Sequence, residues 1–199
     1  MIVLRVKLCG IRSFDDVDIL NEVRPDYAGF VFAGTKRRID DDTAAALRKR
    51  LDDIIPVVGV FKDEPLEHIA ALVRSGTIQA VQLHGHEDVA GIEAVKELRV
   101  PVIKAFSIGG YRDIERAAES PADYILLDHG SGGSGTSFDW SLVTKIDRPF
   151  FLAGGLSVSN VRDAMKLNPY ALDVSSGVET DGRKDANKIR QFMKIAGGR

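Results

Sequence analysis

Short, almost continuously apolar runs alternate along this chain with longer segments in which apolar residues recur every three or four positions. The runs at residues 3–8, 27–32, 54–61, 80–83, 101–106, 124–128, 149–153 and 171–174 predict eight strands. The stretch Ile54-Ile55-Pro56-Val57-Val58-Gly59-Val60-Phe61 has no polar side chain. A strand covered on both faces of a parallel sheet reads this way.

Between the strands lie amphipathic segments. Ile189, Phe192, Met193 and Ala196 recur at i, i+3, i+4 and i+7, as do Leu66, Ile69, Ala70 and Val73. That spacing puts an apolar stripe on one face of a helix. Ser13 and Ser157 supply start signals for the first and seventh helices. Ser75-Gly76 and Asn168-Pro169 supply stop signals for the third and seventh. The sixth helical segment is short, residues 139–146.

Eight strand–helix units in series imply parallel strands joined by right-handed crossovers. Such units close into a (β/α)8 TIM barrel, an α/β fold. An open doubly wound sheet is the competing architecture, but no G-x-G-x-x-G follows the first strand and no long connection marks a reversal of strand order. At 199 residues without a linker, the chain reads as one barrel domain over residues 1–199, with short loops.

Charge narrows the partners. With 27 Lys+Arg against 29 Asp+Glu the net charge is −2, and nothing draws the chain to nucleic acid or an anionic membrane. A single cysteine speaks against a compartment that uses disulfide staples. The N-terminus has charges inside its apolar run and no cleavage site for a signal peptide. No apolar stretch approaches the roughly 20 residues of a membrane helix. The expected location is cytoplasmic.

Active sites of such barrels stand at the C-terminal strand ends. There this sequence gathers Cys9-Gly10, the basic loop Thr35-Lys36-Arg37-Arg38, Gln82 with His84-Gly85, Asp128, Gly132-Gly133-Ser134-Gly135, Gly154-Gly155 and Ser175-Ser176-Gly177. Pro56, Pro101 and Pro149 mark the opposite ends. The lone thiol of Cys9 is either a small apolar filler or a reactive group, and a strand end followed by glycine favours the second. Asp128 leaves an apolar strand at the rim, where partial burial would raise its pKa and suit it to act as an acid. Its plainer role would be a capping or ion-paired aspartate. Arg37 or Arg38 can clamp a substrate carboxylate. Gln82 and His84 alternate and point the same way, inward. His86 and His129 read as solvent-facing. Gly154-Gly155 and Ser175-Ser176-Gly177 offer unobstructed amides and hydroxyls after strands seven and eight, the usual phosphate site of these barrels together with a helix N-terminus. No ligand spacing for a metal and no Gly-x-Ser-x-Gly is present.

The ordered set Lys7-Leu8-Cys9-Gly10-Ile11, Gly29-Phe30-Val31-Phe32, Val58-Gly59-Val60-Phe61, Val81-Gln82-Leu83-His84-Gly85, Leu126-Leu127-Asp128, Ala153-Gly154-Gly155-Leu156 and Asp173-Val174-Ser175-Ser176-Gly177-Val178-Glu179 resembles the phosphoribosylanthranilate isomerases along the whole chain. The resemblance implies a barrel of the ribulose-phosphate-binding type that works without cofactor or metal, as a monomer or homodimer, on a phosphorylated sugar–anthranilate. The implied reaction is an Amadori rearrangement in tryptophan biosynthesis. Asp128 would be the general acid and Cys9 the general base. Arg37 would hold the anthranilate carboxylate, and Gly154, Gly155, Ser175, Ser176 and Gly177 the phosphate. Two departures stand out: the family's basic loop commonly reads Ser-Lys/Pro-Arg, and His129-Gly130-Ser131 is a compressed link to the glycine run. The alternatives are a non-catalytic sugar-phosphate binder and a related aminoaldose isomerase of histidine biosynthesis. The latter usually carries an aspartate where Cys9 stands.

Overall fold

The computed structural model describes residues 4–129 and 139–197, with the backbone only at 144 and 145. Eight parallel strands close into a barrel in sequence order, β8 pairing back onto β1. They are β1 Arg5–Cys9, β2 Tyr27–Val31, β3 Val57–Phe61, β4 Ala80–Leu83, β5 Val102–Ser107, β6 Tyr124–Asp128, β7 Phe150–Leu152 and β8 Ala171–Val174. A helical element follows each strand: α1 Phe14–Val23, α2 Asp41–Arg50, α3 Leu66–Arg74, α4 Val89–Lys96, α5 Tyr111–Ala118, a 3-10 helix Trp140–Lys145, α6 Val161–Met165 and α7 Ala186–Ala196. Among the described residues no helix is long and apolar enough to cross a membrane.

β1 begins at Arg5, with Leu4 outside it, and three other strand starts differ from the sequence expectation for one reason. β3, β5 and β7 each begin immediately after Pro56, Pro101 and Pro149, because a proline has no N–H to give the ladder. Its carbonyl can still take part: Ala28 donates to the Pro56 oxygen and Val81 to the Pro101 oxygen. Ile54, read from sequence as strand, is 63% exposed in the turn before β3. β1 runs on to Cys9, which pairs with Gly29. Position 3 and the run Gly132-Gly133-Ser134-Gly135 lie outside the described residues.

The helix ends are partly as the sequence predicts. Ser13 caps α1 through a reciprocal box with Asp16: its hydroxyl accepts from the Asp16 amide, and the Asp16 carboxylate accepts from the Ser13 amide. Gly76, at φ +72°, follows the end of α3. Ser157 does not cap the seventh helical element. Asn160 precedes α6, and its side chain is spent on the loop, accepting from Ser157 N at 2.9 Å and donating to Gly155 O at 2.9 Å. The α-helix ends at Met165, and the turn that follows reaches Asn168 in the left-handed region. In α3 the buried residues are Ile69, Ala70 and Leu72, whereas Leu66 sits exposed at the first position and Val73 is half-buried.

Alternation along the strands sorts side chains into two cores. One face packs against the helices, with Leu8, Phe30, Phe61 and Phe192 fully buried. The other fills the barrel with Val58, Ala80, Ile103, Leu126, Phe151 and Ala171, against which Tyr27, Tyr124 and Tyr170 pack. A two-residue hairpin, β9 Glu179–Thr180 with β10 Arg183–Lys184, interrupts the loop after β8. Its turn, Asp181-Gly182, has φ +50° and +72°. Two left-handed central residues are what a tight hairpin of this twist needs.

Candidate active site

A cavity of about 910 Å³ opens at the C-terminal ends of the strands. Cys9, Arg37, Gln82, His84, Asp128, Gly154, Gly155, Ser175 and Ser176 all border it. Arg38 does not: it is exposed, and its backbone bridges to Val31, the last residue of β2. Gly177, the remaining candidate, is not among the bordering residues. A Cβ there would lie 1.8 Å from the Leu156 carbonyl oxygen, so only glycine permits the loops after β7 and β8 to meet. The contact is completed by a bridge between Ser157 and Gly177. No helix begins at residues 175–178; a turn closed by Val178 N and Glu179 N leads instead into the hairpin.

Cys9 reaches the cavity because its neighbours lack side chains. A Cβ on Gly29 would lie 2.8 Å from Cys9 Sγ, and Gly10 turns at φ +81° beneath Arg37. Ser175 Oγ donates to the Cys9 carbonyl at 2.9 Å and anchors the end of β1 to the loop after β8. Burial pushes the thiol pKa up; Lys7 pulls it back, Asp173 opposes that, and Lys184 helps Lys7, leaving a net upward shift.

Lys7 is the residue that sequence reading missed most plainly. It is fully buried one alternation below Cys9, and its Nζ donates to Gln82 Oε1 at 2.6 Å and Asp173 Oδ2 at 2.8 Å. Burial pulls its pKa down, but the charges of Asp173 and Cys9 outweigh burial and raise it. Asp173 Oδ1 is buried without a hydrogen-bond partner among the described residues. The signal was available: a lysine and an aspartate inside apolar strand runs, each in phase with an inward position.

Gln82 carries the network upward. Its Nε2 lies 3.4 Å from His84 Nδ1, and His84 Nε2 lies 3.7 Å from Asp128 Oδ2, beyond hydrogen-bond reach. Burial lowers the His84 pKa, with Lys7 adding to it, so the imidazole is neutral at pH 7. Asp128 is 5% exposed and accepts from the His129 amide at 2.7 Å. Burial raises its pKa to about 6, against the His129 amide, which lowers it. A carboxyl with that pKa is about one-tenth protonated at pH 7. Gly154 lies against it: a Cβ there would be 2.7 Å from His129 N and 2.8 Å from Asp128 Oδ1. His129 is therefore not a solvent-facing histidine; it is half-buried, with Nδ1 shielded. His86 is exposed as expected and pairs with Asp63.

A third group had no sequence signal beyond its charges. Lys104, 5% exposed on β5, donates to Gly85 O and Glu87 Oε2 and holds the loop after β4. Arg37 forms a bidentate pair with Glu179, Nε to Oε1 and Nη2 to Oε2, each 2.7 Å. Lys184 donates to Glu179 Oε1 at 2.9 Å and to Ser175 O at 3.1 Å. Burial pushes Glu179 up, yet Arg37 and Lys184 together hold its pKa at about 2.

The family model for N-(5'phosphoribosyl)anthranilate (PRA) isomerase matches residues 6–195. The chain belongs to that family. It is 48% identical over 197 residues to the N-(5'-phosphoribosyl)anthranilate isomerase of Endomicrobium trichonymphae, covering 96% of this chain and 97% of that protein. Among solved structures, the phosphoribosyl anthranilate isomerase of Thermus thermophilus superposes with a TM-score of 0.89 at 37% identity, over 97% of this chain and 98% of that one. A phosphoribosyl anthranilate isomerase in complex with reduced 1-(o-carboxyphenylamino)-1-deoxyribulose 5-phosphate superposes at 0.85 with 39% identity, over 97% and 98% of the two chains. As a phosphoribosylanthranilate isomerase family member, the chain is an enzyme of the isomerase class on a TIM barrel.

Proposed function

We propose that this protein converts N-(5'-phosphoribosyl)anthranilate into 1-(2-carboxyphenylamino)-1-deoxyribulose 5-phosphate in tryptophan biosynthesis, with Asp128 as general acid and Cys9 as general base. One observation carries the reading: a thiol at the end of β1 and a carboxyl with a raised pKa at the end of β6 border the same cavity. These strands stand on different sides of the closed barrel, with β7 and β8 between them along the shorter arc.

Protonated Asp128 gives its proton to the ribose ring oxygen as the C1–O bond breaks. The anilino nitrogen lone pair forms the C1 iminium. The Cys9 thiolate then removes the C2 proton, and the electrons of that C–H bond neutralise the iminium to give an enolamine. Tautomerisation places a proton on C1 and takes one from the C2 hydroxyl, leaving the ketone. Hydrogen moves from C2 to C1 within one molecule, so oxidation and reduction balance inside the substrate. An acid with a pKa near the working pH serves the leaving alkoxide, and a thiolate next to a cationic imine serves the carbon acid.

Arg37 holds the anthranilate carboxylate, and Gln82 and His84 line the sugar side. The amides and hydroxyls at Gly154, Gly155, Ser175 and Ser176 take the phosphate, with Gly177, read from sequence as a phosphate contact, serving instead to let the two loops meet. Two left-handed glycines, Gly154 at φ +83° and Gly155 at φ +67°, support that assignment by keeping side chains off the backbone there. The test is loss of anthranilate fluorescence from the substrate on adding purified protein. Cys9→Ala removes turnover while keeping substrate binding; near-wild-type kcat in that variant sinks the assignment of the base.

A further inference from the structure

Arg37 uses only one edge of its guanidinium within the protein. Nε and Nη2 are engaged side-on by the two oxygens of Glu179, and Nη1 makes no hydrogen bond to the described residues. The stem of Arg37 lies over Gly10, where a Cβ would come within 2.5 Å of Cδ. Stem and head are thus both held, and the uncommitted edge belongs to a side chain that borders the cavity. We propose that Glu179 is a positioning residue that presents the free edge of Arg37 to the aryl carboxylate of the substrate and so sets the preference for carboxylate-bearing aminoaldoses. The inference rests on the assignment of Arg37 made under the proposed function.

Charge explains why a second cation is present. An isolated Arg–Glu pair is neutral and offers an incoming carboxylate little net attraction. Lys184, with its side chain 1% exposed, donates to the same Glu179 oxygen that receives Arg37 Nε. With Lys184 protonated the trio sums to one positive charge while the fork stays aligned; burial pulls the Lys184 pKa down and Glu179 works against that. The hairpin keeps Glu179 in place: Lys188 Nζ donates to Glu179 O at 2.7 Å, Arg12 donates to Gly182 O, and Arg12 also reaches Lys36 O at 3.0 Å. Loops after β1, β2 and β8 are therefore tied around the arginine. A guanidinium whose rotamers are already restricted loses less entropy when it takes a ligand.

The experiment compares N-(5'-phosphoribosyl)anthranilate with the carboxylate-free aminoaldose made from aniline, in wild type, Glu179→Gln, Arg37→Ala and the double variant. Loss of one charge-assisted bidentate contact predicts that Glu179→Gln raises KM for the anthranilate substrate about tenfold. kcat changes less than about twofold, as for a contact that ground state and transition state share. KM for the aniline analogue stays unchanged. The double variant is no worse than Arg37→Ala, because the two residues act through one contact. An unchanged or lowered KM in Glu179→Gln overturns the inference, and so does an equal loss on both substrates. If Arg37→Ala also keeps the carboxylate preference, the assignment of Arg37 itself is wrong. Should Glu179→Gln not fold, Glu179→Asp carries the same expectation: it keeps the charge but withdraws the carboxylate by one methylene.

Discussion

Gly29 and Cys9 are paired across β1 and β2 so closely that a methyl group on Gly29 would lie 2.8 Å from the sulfur and 2.9 Å from Cys9 Cα. Gly29→Ala must therefore push the thiol or split the two strands. Overpacking of this kind costs roughly 1–3 kcal/mol of stability. A displacement near 1 Å at a reacting group costs on the order of 10²-fold in rate. Expected together are a lower melting temperature and a loss of kcat far larger than the stability change explains. Wild-type kcat in a folded Gly29→Ala enzyme would show that the sulfur has room to spare.

The pH profile follows from the two shifted groups. Under the proposed mechanism activity requires protonated Asp128, with pKa about 6, and ionised Cys9, whose pKa lies above its usual 9.0. The product of those fractions rises up to about pH 6, stays level, and falls above the Cys9 value. The acidic limb thus reports Asp128 even though it is the acid, and only a minor fraction of enzyme is in the working state at any pH. Asp128→Asn should lower kcat by on the order of 10²–10⁴ and move the break near 6 up to the Cys9 value in what activity remains. A kcat/KM profile still rising steadily from pH 6 to 8 contradicts the assignment.

Lys7 and Asp173 form an ion pair inside the barrel, with side chains 0% and 7% exposed. Lys7→Met leaves a buried carboxylate and the Gln82 carbonyl without their donor. Removing one member of such a pair costs about 3–5 kcal/mol. Pairing it with Asp173→Asn removes the stranded charge and should recover a large part of that loss. Chemical denaturation of the two variants decides this; a double variant as unstable as Lys7→Met would mean that packing, not charge, sets the cost.

His68 clasps two outer helices. One ring nitrogen lies 2.8 Å from Glu64 and the other 2.9 Å from Asp41, while the ring packs edge-on against Phe32 and Phe61. The Asp41 contact raises its pKa above 6.5, burial works against it, and Glu64 adds to the rise. A raised folded pKa contributes stability that is complete below the unfolded value near 6.5 and fades as pH climbs through the folded value. Relative to His68→Gln, the wild type should be more stable at about pH 5.5 than at about pH 8.5. Equal differences at both ends would mean that the ring acts only through its packing.

Much of the barrel was legible because strand and helix periods are local properties. Residues 80–83, 124–128 and 171–174 are strands from end to end, as the apolar runs indicate. The misjudged ends at Ile54, Pro101 and Pro149 trace to hydrophobicity outlasting hydrogen bonding: an apolar run that contains or precedes a proline reads as strand, but the proline has no N–H for the ladder. Ser157 failed as a cap because its hydroxyl is engaged with the Ser159 hydroxyl at 2.8 Å, while Asn160 ties the loop through the Ser157 amide and the Gly155 carbonyl. The hairpin after β8 was signalled only by Asp181-Gly182 and falls between two stronger patterns.

By itself the sequence determined eight repeating units, the side of the barrel that carries polar chemistry, and the presence there of one thiol, one rim carboxyl and glycine-rich loops. Each of these depends on neighbours within a few positions. Only the tertiary structure decided which charges act together. Lys7 and Asp173 are 166 residues apart, and Arg37 and Glu179 are 142 apart. They meet because closure sets β8 against β1, so that groups near the two ends of the chain share one desolvated space where partners determine protonation.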